Sequence, residues 1–351
     1  MKRIIVTGGY GFIGSAFIRY IINNTSYSVL NIDNLSYSSN IESLNSIESN
    51  SRYEFKELDI CNGDDILNVM QSYKPNAVIH FAAESHVDKS IDSPSVFIQT
   101  NIVGTYQLLQ ASLKYFNLSK ATTREDFIFH HISTDEVYGD IGKDDLPANE
   151  MTKYAPSSPY SSSKASSDHL VTAWNTTFKL PTLITNCTNN YGYYQNQEKL
   201  IPHMIFRALN KQSMPIYGDG KQIRDWLHVD DHVRAIFTVM ENGNIGESYN
   251  ISGGNQISNI EIVEMICEHL NNLDGNNKNM SFDYKSLITF VKDRPGHDKR
   301  YALDSKKIYD EFGWEPELTF NEGIKKTILW YINNQDSYKE KATNLERQGI
   351  I

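Results

Sequence analysis

The chain has 351 residues, of which 40% are hydrophobic and 22% charged with no biased tract. That excludes disordered, collagenous and coiled-coil classes and leaves room for about two domains or one large α/β unit with an appendage. Thirty-three Lys and Arg against 43 Asp and Glu leave a net charge of -10, which repels nucleic acid and an anionic membrane surface.

The opening strand, 3–7, is cut off by Thr7-Gly8-Gly9 and is too short for a signal-peptide core. No run of about 18 apolar residues follows, so a soluble chain without a membrane span is expected. Short β-branched runs at 27–32 and 76–81 alternate with helical patterns at 14–23 and 63–73. Further strands are predicted at 126–133 and 181–187, with helices at 96–116 and 161–178. This repetition implies an α/β fold, a Rossmann-type doubly wound parallel sheet of at least five strands. Beyond 186 the pattern changes to short mixed elements, with a strand at 248–252 and helices at 259–271 and 322–333. The expected organisation is a dinucleotide-binding domain at 1–186, with returning segments near 228–256, a mainly substrate-binding lobe at 187–335, and a polar tail at 336–351. Polar surface loops are expected at 117–125 and 271–279.

Gly9-Tyr10-Gly11-Phe12-Ile13-Gly14 is a G-x-G-x-x-G between a predicted strand and a predicted helix, and Gly8, Gly11 and Gly14 also give G-x-x-G-x-x-G. Such glycines let the backbone turn tightly and approach a pyrophosphate at the helix N-terminus. Asp33 follows Gly14 by 19 residues and ends the second strand, where a carboxylate takes ribose hydroxyls. A 2′-phosphate would meet its negative charge there, so NAD is favoured over NADP. Asp59-Ile60 is placed at the end of the third strand and suits the adenine edge, or caps the next helix.

Tyr160 and Lys164 stand one helical turn apart, so a nearby ammonium can favour a tyrosinate that removes a hydroxyl proton. Upstream, Thr134-Asp135-Glu136 follows a predicted strand, at the strand end where open sheets place ligands. Thr134 can hydrogen-bond a carbonyl oxygen. The adjacent Asp135 and Glu136 offer an acid and a base, or simply cap a helix. His130 and His131 read as packed strand residues. Cys61, Cys187 and Cys267 are an odd number without metal-like spacing, so a reducing compartment, the cytoplasm, is expected, and no metal is.

These stretches, together with Phe81 through Asp88, Ser158 through Asp168, Asn189 through Gly192, Glu198 through Pro202, Tyr217 through Trp226 and Asp293 through Asp298, resemble the extended short-chain dehydrogenase/reductase superfamily. Within it, the match is to the nucleotide-sugar dehydratases; the Thr-Asp-Glu triplet is the specific part, because the related epimerases lack the acid pair. The resemblance implies a redox-neutral 4,6-dehydration of a nucleotide-diphosphate sugar, with NAD as cofactor. Tyr160 would take the C4 hydroxyl proton, Thr134 hold that oxygen and Lys164 hold the nicotinamide ribose. Glu136 would remove the C5 proton, Asp135 protonate the departing C6 hydroxyl, and hydride return to C6. An NAD-dependent nucleotide-sugar 4-epimerase and an NAD-binding regulatory protein are the alternatives.

By the same match, Phe12, Ile13, Asp33, Asn34, Leu35, Ser36, Asp59, Ile60, Phe81, Ala82, Ala83, Ser85, Thr100 and Asn190 correspond to cofactor positions. Ser85, Thr134, Asn189, Lys199, Leu200, Pro215, Tyr217, Arg224, Asn259, Arg294 and His297 correspond to the substrate side, where the two arginines suit a diphosphate. Members of the superfamily imply a homodimer, with helices 96–116 and 161–178 as the contact. The chain departs from the pattern at Ser38-Ser39, where Ala-Gly is usual, at Lys89 for Arg, and at Tyr193 and Asn196-Gln197 for Pro and Phe-Pro.

Overall fold

The structure, a computed structural model, describes residues 2–119, 126–274 and 282–335. The predicted tail at 336–351 and parts of both predicted loops, 120–125 and 275–279, lie outside the described residues. In chain order the strands are β1 Arg3–Thr7, β2 Ser28–Asp33, β3 Tyr53–Glu57, β4 Ala77–His80, β5 Ile128–Thr134 and β6 Thr182–Cys187. There follow β7 Asn189–Tyr191, β8 Met214–Tyr217, β9 Ile223–His228, β10 Ser248–Ile251, β11 Gln256–Ser258 and β12 Ile288–Val291.

Seven of these form one sheet in the order β10-β6-β5-β4-β1-β2-β3, every pair parallel. The chain order reverses between β1 and β4, and the crevice beyond their C-terminal ends is where such sheets take ligands. Strand periodicity sorts the core: Ile4 and Val6 of β1 join the cluster beneath helices Phe12–Asn24 and Val229–Asn242. Ile5 joins the opposite cluster beneath Gly63–Tyr73 and Thr105–Ser119. Because both faces are covered, the strands are apolar almost throughout.

The smaller sheets, β11-β9-β7 and β12-β8, surround a third core built on Tyr191, Ile205, Trp226, Ile262 and Ile324. β10 does not stay with them: it pairs with β6 and completes the large sheet. Two predicted elements differ in detail. The third strand stops at Glu57, so Asp59 and Ile60 lie in the turn beyond it. The helix predicted at 96–116 runs from Pro94 to Ser119 but widens into a π-helical segment at Ile98–Gly104.

Candidate active site

The residues expected to hold the cofactor lie in three turns at the sheet's C-terminal edge. Gly8 has φ +71, and a Cβ there would lie 2.7 Å from the backbone of Ala82. A Cβ on Gly14 would lie 2.3 Å from the Gly8 carbonyl. The two segments are thus pressed together and only glycine fits. Gly11 is the N-cap of the helix Phe12–Asn24, which carries no capping side chain and no acid in its first turn, leaving the N–H groups of Phe12 and Ile13 open to a phosphate.

Asp33 is buried beside this turn. Its Oδ2 accepts from the Tyr10 N–H at 2.9 Å, and its Oδ1 accepts from the Leu35 N–H and the Ser39 hydroxyl, each at 2.9 Å. These donors fix the carboxylate in place. Asn34 donates to Asp59 Oδ2 at 3.1 Å, joining the loops after β2 and β3. Burial opposes ionisation of Asp59, but the Cys61 N–H and Asn34 hold its carboxyl below the usual range. Ser36 shares a hydrogen bond with Ser38 at 3.2 Å, and Ile60 packs on Gly104. Phe81, Ala82, Ala83 and Ser85 follow β4 in the chain, and Thr100 lies in the π-helical segment. Asn190 is held by His232, whose Nδ1 lies 2.9 Å from its Oδ1.

The residues expected on the substrate side meet at a cavity of about 820 Å³. Ser85, Glu136, Asn189, Lys199, Leu200, Pro215, Tyr217, Arg224, Asn259, Arg294 and His297 all line it. Arg224 is buried with its guanidinium 4.2 Å from the centre of the Tyr301 ring, and it donates to the Asp298 carbonyl at 2.9 Å. Arg294 and the Tyr217 hydroxyl both bond to Asp88, at 3.2 and 2.8 Å. Lys199 donates to the Ser85 carbonyl at 2.8 Å. Burial, then the charge of Arg294, push the His297 imidazole down to about 4, so it faces the cavity neutral. Lys89, one of the departures, lies over the Tyr37 ring at 3.3 Å and pairs with Glu198 at 3.1 Å.

Thr134, Asp135, Tyr160 and Lys164 are buried behind the cavity wall, and Glu136 reaches it. Thr134 ends β5 and caps the 3₁₀ turn Asp135–Tyr138; it accepts from the Glu136 N–H at 3.3 Å and donates to Asp135 Oδ1 at 3.1 Å. The acid pair is therefore drawn into the interior instead of facing solvent. Burial, then the neighbouring Glu136 charge, hold the Asp135 carboxyl well above its usual range. Burial also raises Glu136, opposed by Arg294, Arg224 and Lys199. Arg224 opposes the rise at both carboxyls, and Arg294 and Lys199 add to it at Glu136, so Glu136 has more cations to stabilise its charge.

Tyr160 lies in the first turn of the helix Pro159–Phe178, which starts with a capping box between Ser158 and Ser161. Its hydroxyl is a hydrogen-bonding neighbour of Thr134, and burial, then Glu136, push it well above its usual range. The expected approach of the Lys164 ammonium to Tyr160 is not what the structure places here. Lys164 Nζ donates to the Ile132 carbonyl at 2.9 Å and lies 3.3 Å from His131 Nε2. The helical spacing puts the two residues on one face, but β5 offers the buried ammonium acceptors that the tyrosine hydroxyl does not. Sequence reasoning also missed Asp88, His232 and the partners of His131, because each acts through contacts between distant segments. Among the described residues, no group of three His, Cys, Asp or Glu side chains could hold a metal.

The model of the GDP-mannose 4,6 dehydratase family matches residues 5–327. The chain belongs to the GDP-mannose 4,6 dehydratase family. A dTDP-glucose 4,6-dehydratase of Neisseria meningitidis is 54% identical over 99% of both chains. A solved dTDP-glucose 4,6-dehydratase of Bacillus anthracis in complex with NAD is 41% identical, with a TM-score of 0.84 over 96% of this chain and 98% of that one. That of Streptomyces venezuelae, with NAD and dTDP bound, is 38% identical with a TM-score of 0.87 over 96% and 99%. These family relatives share the large parallel sheet and the smaller mixed lobe described above.

Proposed function

We propose that this chain is an NAD-dependent dTDP-glucose 4,6-dehydratase. The carrying observation is the Thr134-Asp135-Glu136 turn at the end of β5, with the buried Asp135 carboxyl raised by its surroundings and Glu136 facing a cavity lined by cations. The relatives at 52–54% identity over almost the full length support dTDP-glucose as the substrate within this family. NAD fits the glycine turn, whose cradle a single Cβ would fill, and Asp33 suits its ribose. When bound, NAD supplies the redox couple that carries two electrons and a hydrogen from C4 to C6.

The chain's own residues move the protons. Tyr160, acting as the tyrosinate, takes the proton of the C4 hydroxyl, with Thr134 holding that oxygen. The ketone so formed acidifies C5, and Glu136 removes its proton. Asp135 gives its proton to the departing C6 hydroxyl, which leaves as water, and Glu136 returns its proton to C5. Each turnover leaves Tyr160 with one proton more and Asp135 with one fewer, so both must exchange with solvent before the next. Arg224 and Arg294 hold the diphosphate, and Tyr217, Asn259 and Pro215 face the rest of the nucleotide.

A homodimer belongs to the same proposal. Val96, Ile98 and Phe178 stand exposed on the helix Pro94–Phe97, the π-helical segment Ile98–Gly104 and the helix Pro159–Phe178, apolar positions that a second copy would cover. The three unbridged cysteines fit a reducing cytoplasm. The deciding experiment incubates the protein separately with dTDP-glucose, UDP-glucose and GDP-mannose and follows product mass. Loss of one water from dTDP-glucose is expected. A C4 epimer of unchanged mass would overturn the dehydratase reading, and sedimentation as a monomer would overturn the dimer.

A further inference from the structure

Behind Tyr160, Lys164 belongs to a buried group of ionisable side chains whose other members the chemistry above does not use. Tyr160, Lys164 and Asp168 follow one another at single-turn spacing on the helix Pro159–Phe178. β5 presents His131 and Ser133, two residues apart and so on one face, to that helix. His131, Lys164 and Asp168 are 0%, 4% and 1% exposed. His131 Nε2 lies 3.3 Å from Lys164 Nζ and 3.3 Å from Asp168 Oδ1. Asp168 Oδ2 accepts from Ser133 at 2.8 Å, Tyr154 at 3.0 Å and Asn186 at 3.3 Å. Three donors on one oxygen fix the carboxylate and leave Oδ1 turned to His131.

A buried ammonium is costly unless its charge and its N–H groups are matched. Lys164 has three donors: one goes to the Ile132 carbonyl, a second reaches His131 Nε2, and the third is left for a ligand. The imidazole can accept from an ammonium only while it is neutral with its proton on Nδ1. Burial, then the Lys164 charge, hold it neutral. Asp168 Oδ1 sits beside the same Nε2, so the counter-charge lies next to the ammonium. The other titratable groups around the ammonium are the Cys187 thiol on β6 and, beyond His131, the His80 ring on β4 with its centre 5.1 Å away.

We propose that His131 and Asp168 are positioning residues for Lys164: the imidazole clamps the ammonium at the end of β5, and the carboxylate keeps it charged. The inference rests on the reading of Lys164 as part of the active site. Burial pushes the Lys164 ammonium down to about 8, and Asp168 is the main group resisting that fall. Removing the carboxylate therefore moves loss of the ammonium to lower pH.

The test is the pH profile of dehydration at saturating dTDP-glucose, with NAD affinity by calorimetry, in the full chain. In Asp168→Asn the alkaline limb of kcat should move down by about one pH unit, with KM within a few-fold and NAD binding several-fold weaker at pH 9. Asp168→Glu should return the limb toward wild type. His131→Leu, which removes the acceptor without removing the charge, should move the limb the same way and provides the reading if Asp168→Asn does not fold. A folded variant of either kind that keeps the wild-type limb overturns the proposal, even if its melting temperature or kcat falls, because that is a structural role alone. A wild-type protein that releases no water from dTDP-glucose defeats the underlying function instead; the calorimetric arm then still decides whether Asp168 controls Lys164.

Discussion

The cofactor side and the sugar side of the crevice share one sheet edge, yet the first is made mainly of backbone and the second mainly of side chains. Gly8, Gly11 and Gly14 shape the cofactor side through contacts that leave no room for a Cβ at Gly8 or Gly14, and Asp33 is fixed by neighbours within 23 positions. The sugar side gathers Glu136, Lys199, Tyr217, Arg224 and Arg294 from separate segments, and Asp88 reaches 206 positions along the chain to hold Arg294. The difference teaches where each site is vulnerable. A backbone site fails when its local path is disturbed, whereas a side-chain site fails one interaction at a time.

The largest effect should come from the reacting groups where the two sides meet. Glu136→Gln should lower dehydration about 10²–10⁴-fold, the range for a general base. Because Arg224 and Arg294 remain, dTDP should still bind. In deuterated water the variant should fail to exchange the C5 hydrogen, which NMR reads directly. Exchange at the wild-type rate would show that the base is elsewhere. Tyr160→Phe should lose activity over the same range while keeping sugar-nucleotide binding, and a variant within a few-fold of wild type would remove Tyr160 from the chemistry.

The next pair separates the two sides. Gly14→Ala places a methyl against the Gly8 carbonyl, 2.3 Å from the new carbon, and should cost about 1–3 kcal/mol of stability with NAD binding weakened at least tenfold. Its affinity for dTDP should stay near wild type. Arg294→Ala should do the reverse: dTDP weakens about 10–100-fold, as for loss of a charged hydrogen bond, and NAD binding holds. Calorimetry with each ligand alone checks both. Equal losses of both ligands in either variant would mean that the two sides are not separable.

The same contrast governs what could be read from the sequence. β1 was legible to the residue, and the seven-stranded sheet extends the five strands predicted, because strand-helix alternation is a local pattern. The glycine turn into the first helix and the place of Asp33 at the end of β2 were legible for the same reason. The direction of Lys164 was not: helical spacing gives its face, but its acceptors lie on β5, 32 and 33 positions away. His131 and Ser133 alternate correctly for one strand face, yet only the sheet order shows that this face meets Asp168. The π-helical segment at Ile98–Gly104 left no periodic signal, since a single widened turn barely disturbs the apolar pattern of a long helix. The sugar-side positions came from resemblance to a family and not from spacing.

The smallest effect tests whether the acid of the pair is held at a cost to the fold. Burial, then the charge of Glu136, make the folded chain bind the Asp135 proton more tightly than the unfolded chain, whose carboxyl titrates near about 3.9. A group with a raised folded value favours folding most when protonated, so its contribution falls as pH rises from about 4 through the folded value. Asp135→Asn cannot ionise and should lose that dependence. Its melting temperature relative to wild type should therefore rise by a few degrees between pH 5 and pH 8; Glu136 and Asp168, raised in the same direction, keep part of the slope in both proteins. Dehydration should meanwhile slow while C5 exchange continues, because oxidation and the Glu136 step do not need the acid. Scanning calorimetry at the two pH values, on the same preparations used for exchange, checks both statements. If the difference in melting temperature is the same at both pH values, Asp135 is not held protonated by its surroundings, and the division of labour between the two carboxyls would have to be reversed or abandoned.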